Sequence, residues 1–256
     1  MLVIHCALPC EAIPIISRLS LKPDHEIKVP VWKNDQILLV QSGVGYTRTV
    51  FALGSLAGKY DVSGSFFLNI GIAGHSSYEV GESFWVHSIE SDSTEQRFYP
   101  LFLKKVKHKT SHLKTVIKPN FDYPQDTGLD MEAMAFFEAA YFLTSREHAH
   151  CLKVVSDNPL VNQRPSKIQV SEWIEKAWIE NEKLIFQLAD LALNKIQSTS
   201  RSFEGLTVSQ NRLMNQLIKR AQVFGLSLPA VTNSKDFKQQ YPKLLELVDQ
   251  QSFLRL

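Results

Sequence analysis

Three carboxylates in this sequence stand where strands and helices begin or end. Glu11 closes Ala7-Leu8-Pro9-Cys10-Glu11, Glu132 lies within Leu129-Asp130-Met131-Glu132-Ala133, and Asp157 ends Val154-Val155-Ser156-Asp157. Two glycine segments lie between them. One is Gln41-Ser42-Gly43-Val44-Gly45. The other is Phe67-Leu68-Asn69-Ile70-Gly71-Ile72-Ala73-Gly74, followed by Tyr78-Glu79-Val80-Gly81-Glu82. Carboxylates so placed can do acid–base work or accept hydroxyl hydrogen bonds, and glycines let the backbone come close to a ligand. Each segment also has a plainer reading. Glu11 and Glu132 would complement helix N-termini, Asp157 would be a loop residue, and the glycines would simply turn the chain. No single segment decides between these readings; their order does.

The elements that must position these residues alternate between strand and helix. Residues 2–8 are nearly all apolar, as in a strand buried on both faces, and Pro9 ends it. A short helix is expected from Cys10 to Leu19. A strand at Ile37–Gln41 leads into a helix over Tyr46–Lys59 with Val50, Leu53 and Ala57 on one face. Phe66–Ile70 reads as a buried strand closed by a turn at Gly71–Gly74, and Ser83–Ile89 as another strand. The polar, aromatic stretch from about Glu90 to Gln125 suggests short strands and a long loop. Met131–Thr144 reads as a helix, Cys151–Ser156 as a late buried strand, and 171–197 as a long amphipathic helix. Such alternation predicts an α/β fold with a mainly parallel sheet covered on both faces, and ligands then bind where loops leave the carboxyl ends of strands.

Beyond about Ser198 the character changes. A polar linker precedes a helix expected from Ser209 to Phe224, stopped by Gly225, and a second helical stretch from Ser234 that restarts at Pro242. The expected organisation is a catalytic domain at 1–198 and a helical C-terminal extension at 199–256. The extension carries eight Lys/Arg against four Asp/Glu. It either caps the core through its apolar faces or docks a partner.

Composition excludes several classes. A net charge of +2 with no long Lys/Arg run gives no reason to expect nucleic-acid binding. No stretch approaches the roughly 18 apolar residues of a membrane span, and the opening lacks the basic start of a signal peptide. Three cysteines, Cys6, Cys10 and Cys151, argue against a disulfide framework and for a reducing, cytoplasmic setting. Gly54–Lys59 is one residue short of a phosphate-cradling loop and falls inside a predicted helix. His148, His150 and Cys151 read as surface polar residues beside a strand start, and His108 and His112 as part of the solvated basic stretch Lys104–Lys114. No metal or organic cofactor is implied.

In order and spacing, the four segments resemble the purine nucleoside phosphorylase and nucleosidase superfamily, nearest to the 5′-methylthioadenosine/S-adenosylhomocysteine nucleosidases. The resemblance spans roughly residues 1–197. It implies a three-layer nucleoside phosphorylase-like fold and cleavage of a purine nucleoside through a ribosyl cation. By similarity, Asp157 would meet N7 of the purine and would need a proton to donate, with Ser156 beside it. Glu132 would accept from the ribose hydroxyls, Met131 would pack on the sugar, and Glu11 would orient or deprotonate the attacking water. Gly43, Ile72, Ala73 and Gly74 would line the pocket, with Phe121 or Tyr123 as the stacking ring. A homodimer whose partner closes the 5′ side is also implied, with Phe98, Tyr99 and Phe102 available for an interface or for packing.

The first turn, Pro9-Cys10-Glu11, lacks the arginine with which phosphorylases hold phosphate, and Ile72 stands where a hydroxyl residue is common. Both features favour water as co-substrate. The departures are a shortened segment, Lys118-Pro119-Asn120-Phe121-Asp122-Tyr123-Pro124, Asp130 in place of a glutamate, and Asn158-Pro159 after Asp157. The rival readings are a purine nucleoside phosphorylase, a futalosine hydrolase and a nucleoside-binding module without turnover. Asp157 weighs against a 6-oxopurine such as futalosine, which pairs more naturally with asparagine.

Overall fold

The computed structural model describes the chain except for residues 93, 121, 162, 195–204, 208–209, 212, 215–216, 219–220, 222–233 and 254–256. The chain forms two compact units, Met1–Asp190 and Leu191–Leu256.

The first unit is built on a mixed sheet. Its centre is four parallel strands in the order β4 (Ile37–Gln41), β1 (Leu2–Cys6), β5 (Phe66–His75) and β10 (Ala149–Asp157). These strands are buried almost throughout, as expected of apolar runs covered on both faces. β3 (Val31–Lys33) and β2 (Lys22–Asp24) extend the β4 edge antiparallel. On the other side β6 (Ser83–Ser91) runs antiparallel to β10, followed by β8 (Thr110–Thr115) and β9 (Thr127–Asp130), with β7 (Thr94–Phe98) on β6. β9 returns to pair with Gly74 and His75, so the ladder closes on β5. β5 thus meets three strands and carries the centre of the site.

Helices cover both faces. α2 (Tyr46–Lys59) and α3 (Ala133–Leu143) pack on each other, joined in one apolar cluster with Val3, Leu38, Phe67 and Cys151. α1 (Pro9–Arg18) and α4 (Lys167–Asn194) are tied together by Arg18 to Glu182 at 3.2 Å, and Asn181 of α4 accepts from the indole of Trp85. Pro14 lies inside α1, where its missing N–H would have bonded the carbonyl of Cys10. The Ser171 hydroxyl of α4 donates to that carbonyl instead, at 2.7 Å.

Several expectations need correction. Gly71–Gly74 is not a turn: β5 continues through it to His75. The buried stripe of α2 is Thr49, Ala52, Leu53 and Leu56, and Val50 is exposed. His148 and His150 are buried, not surface residues. His150 stacks on Phe66 and packs beside Phe102, where an imidazole serves as an aromatic filler. Phe98 packs on Phe137 and Tyr141.

In the second unit, α5 (Ser234–Phe253) passes through Pro242 without restarting, and Phe237 stacks on Tyr241. The helix expected to end at Phe224 falls partly outside the described residues. No described helix is long and apolar enough to cross a membrane.

Candidate active site

The site is assembled around the carboxyl ends of β1, β4, β5 and β10. Glu11 lies in the first turn of α1 and is buried. Its Oε2 accepts from the amides of Ala7 (2.9 Å) and Leu8 (2.8 Å), and its Oε1 from the amide of Ile72 (2.9 Å). The helix-capping reading is therefore correct in part: Leu8 is the N-cap. The carboxylate also bridges to β5. It lies where a side chain at position 71 would be, since a Cβ there would stand 2.8 Å from Oε1. That is why Gly71 is glycine within a strand. Burial pushes the Glu11 carboxyl up, while the amides of Ile72 and Leu8 and the charge of Lys153 oppose the shift.

Glu132 precedes α3 and accepts from the amide of Gly45 at 2.8 Å, which links it to the turn after β4. Gly43 and Gly45 in that turn have φ of +82° and +103°, so here glycine is required by conformation. Asp130 places Glu132. Its Oδ2 accepts from the amides of Glu132 (3.3 Å) and Ala133 (2.8 Å), its Oδ1 accepts from Thr115 Oγ1 (2.7 Å), and Thr115 Oγ1 in turn accepts from the amide of Met134 (3.0 Å). Asp130, two residues ahead of the N-cap Glu132, thus satisfies the first amide of α3.

Lys153 of β10 is 1% exposed, and its ammonium lies 2.9 Å from Asp130 Oδ2. Burial alone would lower this lysine, but Asp130, Cys151 and Glu132 raise it above its ordinary range. Glu132 is pushed up to about 7 by burial and by the charge of Asp130, against the pull of Lys153 and the Gly45 amide. One buried cation therefore serves three buried carboxylates, Asp130, Glu132 and Glu11. Sequence reasoning missed Lys153, although a lysine inside the apolar run Cys151–Ser156 was the available signal.

A polar chain through the sheet fixes the Ser42–Gly43 turn. The Asn69 amide donates to His5 Nδ1 at 2.6 Å, so His5 Nε2 carries the proton and donates to Ser42 Oγ at 2.8 Å. Ser42 Oγ then donates to the Gly43 carbonyl at 2.7 Å. Burial, then the charge of Lys153, lowers His5 to about 3, so it stays neutral.

At the other end of the site, Asp157 accepts from Ser156 Oγ through Oδ1 (2.5 Å) and from the Tyr123 hydroxyl through Oδ2. Both groups crowd Gly74, where a Cβ would stand 2.7 Å from Tyr123 Cε1 and 2.8 Å from Asp157 Oδ2. Of the two rings suggested for stacking, Tyr123 is at the site; Phe121 lies outside the described residues. Ala73 is buried between the two clusters, and Ile72 and Met131 are half-buried. Gly71 and Gly74 are three residues apart on β5, about 10 Å at the usual strand rise. Sequence reasoning also missed Arg48, whose guanidinium Nη1 would stand 3.0 Å from a Cβ at position 43. Among the described residues no group of three metal-ligating side chains is assembled.

The fold is the nucleoside phosphorylase-like α/β architecture. Solved structures that share it include 5′-methylthioadenosine/S-adenosylhomocysteine nucleosidases. The nucleosidase (MTAN) of Chlamydia trachomatis is 18% identical with a TM-score of 0.56, covering 72% of this chain and 98% of that one; its structures include complexes with MTA and with adenine. The Campylobacter jejuni enzyme is 11% identical with a TM-score of 0.57, over 74% and 98% of the two chains. A putative Borrelia burgdorferi nucleosidase bound to adenine is 14% identical with a TM-score of 0.58, over 75% and 100%. No protein-family model and no curated protein matches the sequence.

Proposed function

We propose that this protein is a nucleosidase that hydrolyses the N-glycosidic bond of a purine nucleoside. The leaving base would be a 6-aminopurine, and 5′-methylthioadenosine and S-adenosylhomocysteine are the substrates to test first. One observation carries this reading: three carboxylates converge at the carboxyl ends of neighbouring strands, Glu11 against Gly71 and Asp157 against Gly74 of β5, with Glu132 bonded to the turn after β4. Ribose hydroxyls would donate to Glu132, and Met131 would pack on the sugar. Glu11 Oε1 accepts one amide and keeps a second lone pair, which a water molecule can use. In the reaction the water oxygen bonds to C1′ as the C1′–N9 bond breaks, and that electron pair leaves with the base. Glu11 takes the water proton, and Asp157, which enters the step protonated, gives its proton to N7; exchange with solvent then removes the proton from Glu11 and restores the one on Asp157.

Water is favoured over phosphate because the nearby amides are already used. Those of Ala7, Leu8 and Ile72 bond Glu11, that of Gly45 bonds Glu132, and that of Gly43 bonds the Ala7 carbonyl. One observation favours phosphorolysis instead: the Arg48 guanidinium lies beside Gly43. A second copy of the chain would complete the 5′ side, consistent with exposed Val44, Tyr46 and Phe51 next to the Ser42–Gly45 turn. Activity is assigned to 1–198, with 199–256 as an addition.

The test incubates the protein with methylthioadenosine, S-adenosylhomocysteine, adenosine and inosine, with and without phosphate, and follows free base by chromatography. Adenine release without phosphate supports hydrolysis. Phosphate-dependent release would transfer the site to phosphorolysis, with Arg48 as the anion's partner.

A further inference from the structure

Both oxygens of Asp157 are engaged in this structure. Ser156 Oγ takes Oδ1 from the adjacent position in sequence, while Oδ2 receives the hydroxyl of Tyr123 from the loop before β9. The Tyr123 ring stands against the bare backbone of Gly74, where a Cβ would be 2.7 Å from Cε1 and 2.8 Å from the hydroxyl oxygen. Ring and carboxylate therefore share one notch, which only glycine leaves open. A hydroxyl has a single proton to give, and that of Tyr123 goes to Asp157 Oδ2. A base that meets Asp157 over Gly74 has to share that notch with the phenol, whose ring and hydroxyl already stand in it.

We propose that the Tyr123 hydroxyl competes with the incoming purine for Asp157: it occupies the carboxylate across Gly74 in the free protein and gives up that place when the base arrives, so that Tyr123 governs binding and not the bond-breaking step. The exocyclic amine of a 6-aminopurine is a donor able to replace the phenol on Asp157. The proposal rests on the nucleosidase reading in taking Asp157 as the group that meets the base. It also assigns a task to the shortened loop at 118–125, which brings a tyrosine to the acid.

The experiment compares the full-length protein with Tyr123→Phe, which keeps the ring and removes the hydroxyl. Adenine binding is measured by calorimetry, and base release from methylthioadenosine gives KM and kcat. Removing one competing bond to a charged acceptor is expected to tighten adenine about tenfold and to lower KM to a similar extent, with kcat changed less than about twofold. A purely structural tyrosine would weaken binding or lower the melting temperature instead. Unchanged or weaker adenine binding in a variant that melts with the parent overturns the proposal, as does a fall in kcat of more than about tenfold. If the parent protein still releases base, only this proposal falls. If neither protein binds adenine and neither releases base, it falls together with the nucleosidase reading.

Discussion

Glu11 is held by three backbone amides, two from the turn between β1 and α1 and one from β5, whereas Asp157 is held by two side-chain hydroxyls, one of them from a loop. The Glu11 end is also tied to Glu132, Asp130 and Lys153, whose partners come from β8, β9, β10 and α3. Backbone amides in a paired sheet cannot turn away, and a buried ion pair resists opening. A phenol on a loop can rotate. The ribose end of the proposed site is thus set by the fold, while the base end is closed by a contact that a ligand can exchange. Oxocarbenium chemistry gains most from fixed groups around the sugar, and a departing base needs a partner that lets go.

The largest effect is expected at the exchangeable end. Asp157→Asn keeps the shape but has no carboxyl proton to give, so base release should fall by roughly 10²–10⁴, the usual contribution of a positioned acid, with little change in melting temperature. A full-rate variant would remove Asp157 from the chemistry and leave the comparison without its second term. At the fixed end the leading effect is on stability. Lys153→Met leaves Asp130 buried without its cation, and should cost about 3–5 kcal/mol in urea unfolding. A loss under about 1 kcal/mol would mean that the carboxylates do not depend on this lysine.

What could be read from the sequence follows the same division. β1, β5 and β10 were legible because strands buried on both faces are written as apolar runs. β2, β3, β8 and β9 were not, being short and mostly polar in pattern. The glycines of Ser42–Gly45 were read correctly as a turn. Those of β5 were misread because glycine signals either a positive φ or a close neighbour, and only coordinates tell which. Gly43 and Gly45 are the first kind, Gly71 and Gly74 the second. Lys153 was hidden in an apolar run, and His148 and His150 were taken for surface residues because their burial has no local pattern. Tyr123 was half legible as a ring whose place could not be fixed. The carboxylates themselves came from the resemblance, since each alone reads as a cap or a loop residue.

The two β5 glycines turn the comparison into a paired measurement. Gly71→Ala would press a methyl to 2.8 Å from Glu11 Oε1 and 3.1 Å from its Cδ, against a group that three amides hold in place. Overpacking of this kind should cost about 1–3 kcal/mol and slow base release. Gly74→Ala presses chiefly on Tyr123, which can yield, so its stability loss should stay under about 1 kcal/mol while adenine binding changes. Equal losses would mean that the base end is as rigid as the ribose end.

The remaining effect is a pH dependence that runs in opposite directions for folding and for binding. Glu132 is pushed from 4.5 up to about 7 in the folded protein. Between those values the folded state keeps a proton that the unfolded chain has lost, so this group's contribution to stability is full below about 4.5 and is lost as pH rises through about 7. Ribose hydroxyls donate to the ionised form, so nucleoside binding should tighten over the upper part of the same range. Glu132→Gln should flatten both curves, read by urea unfolding and by calorimetry with methylthioadenosine. If binding instead weakened as pH rose from 6 to 8, Glu132 would not be the acceptor for the sugar, and the fixed end would be a scaffold without a contact of its own.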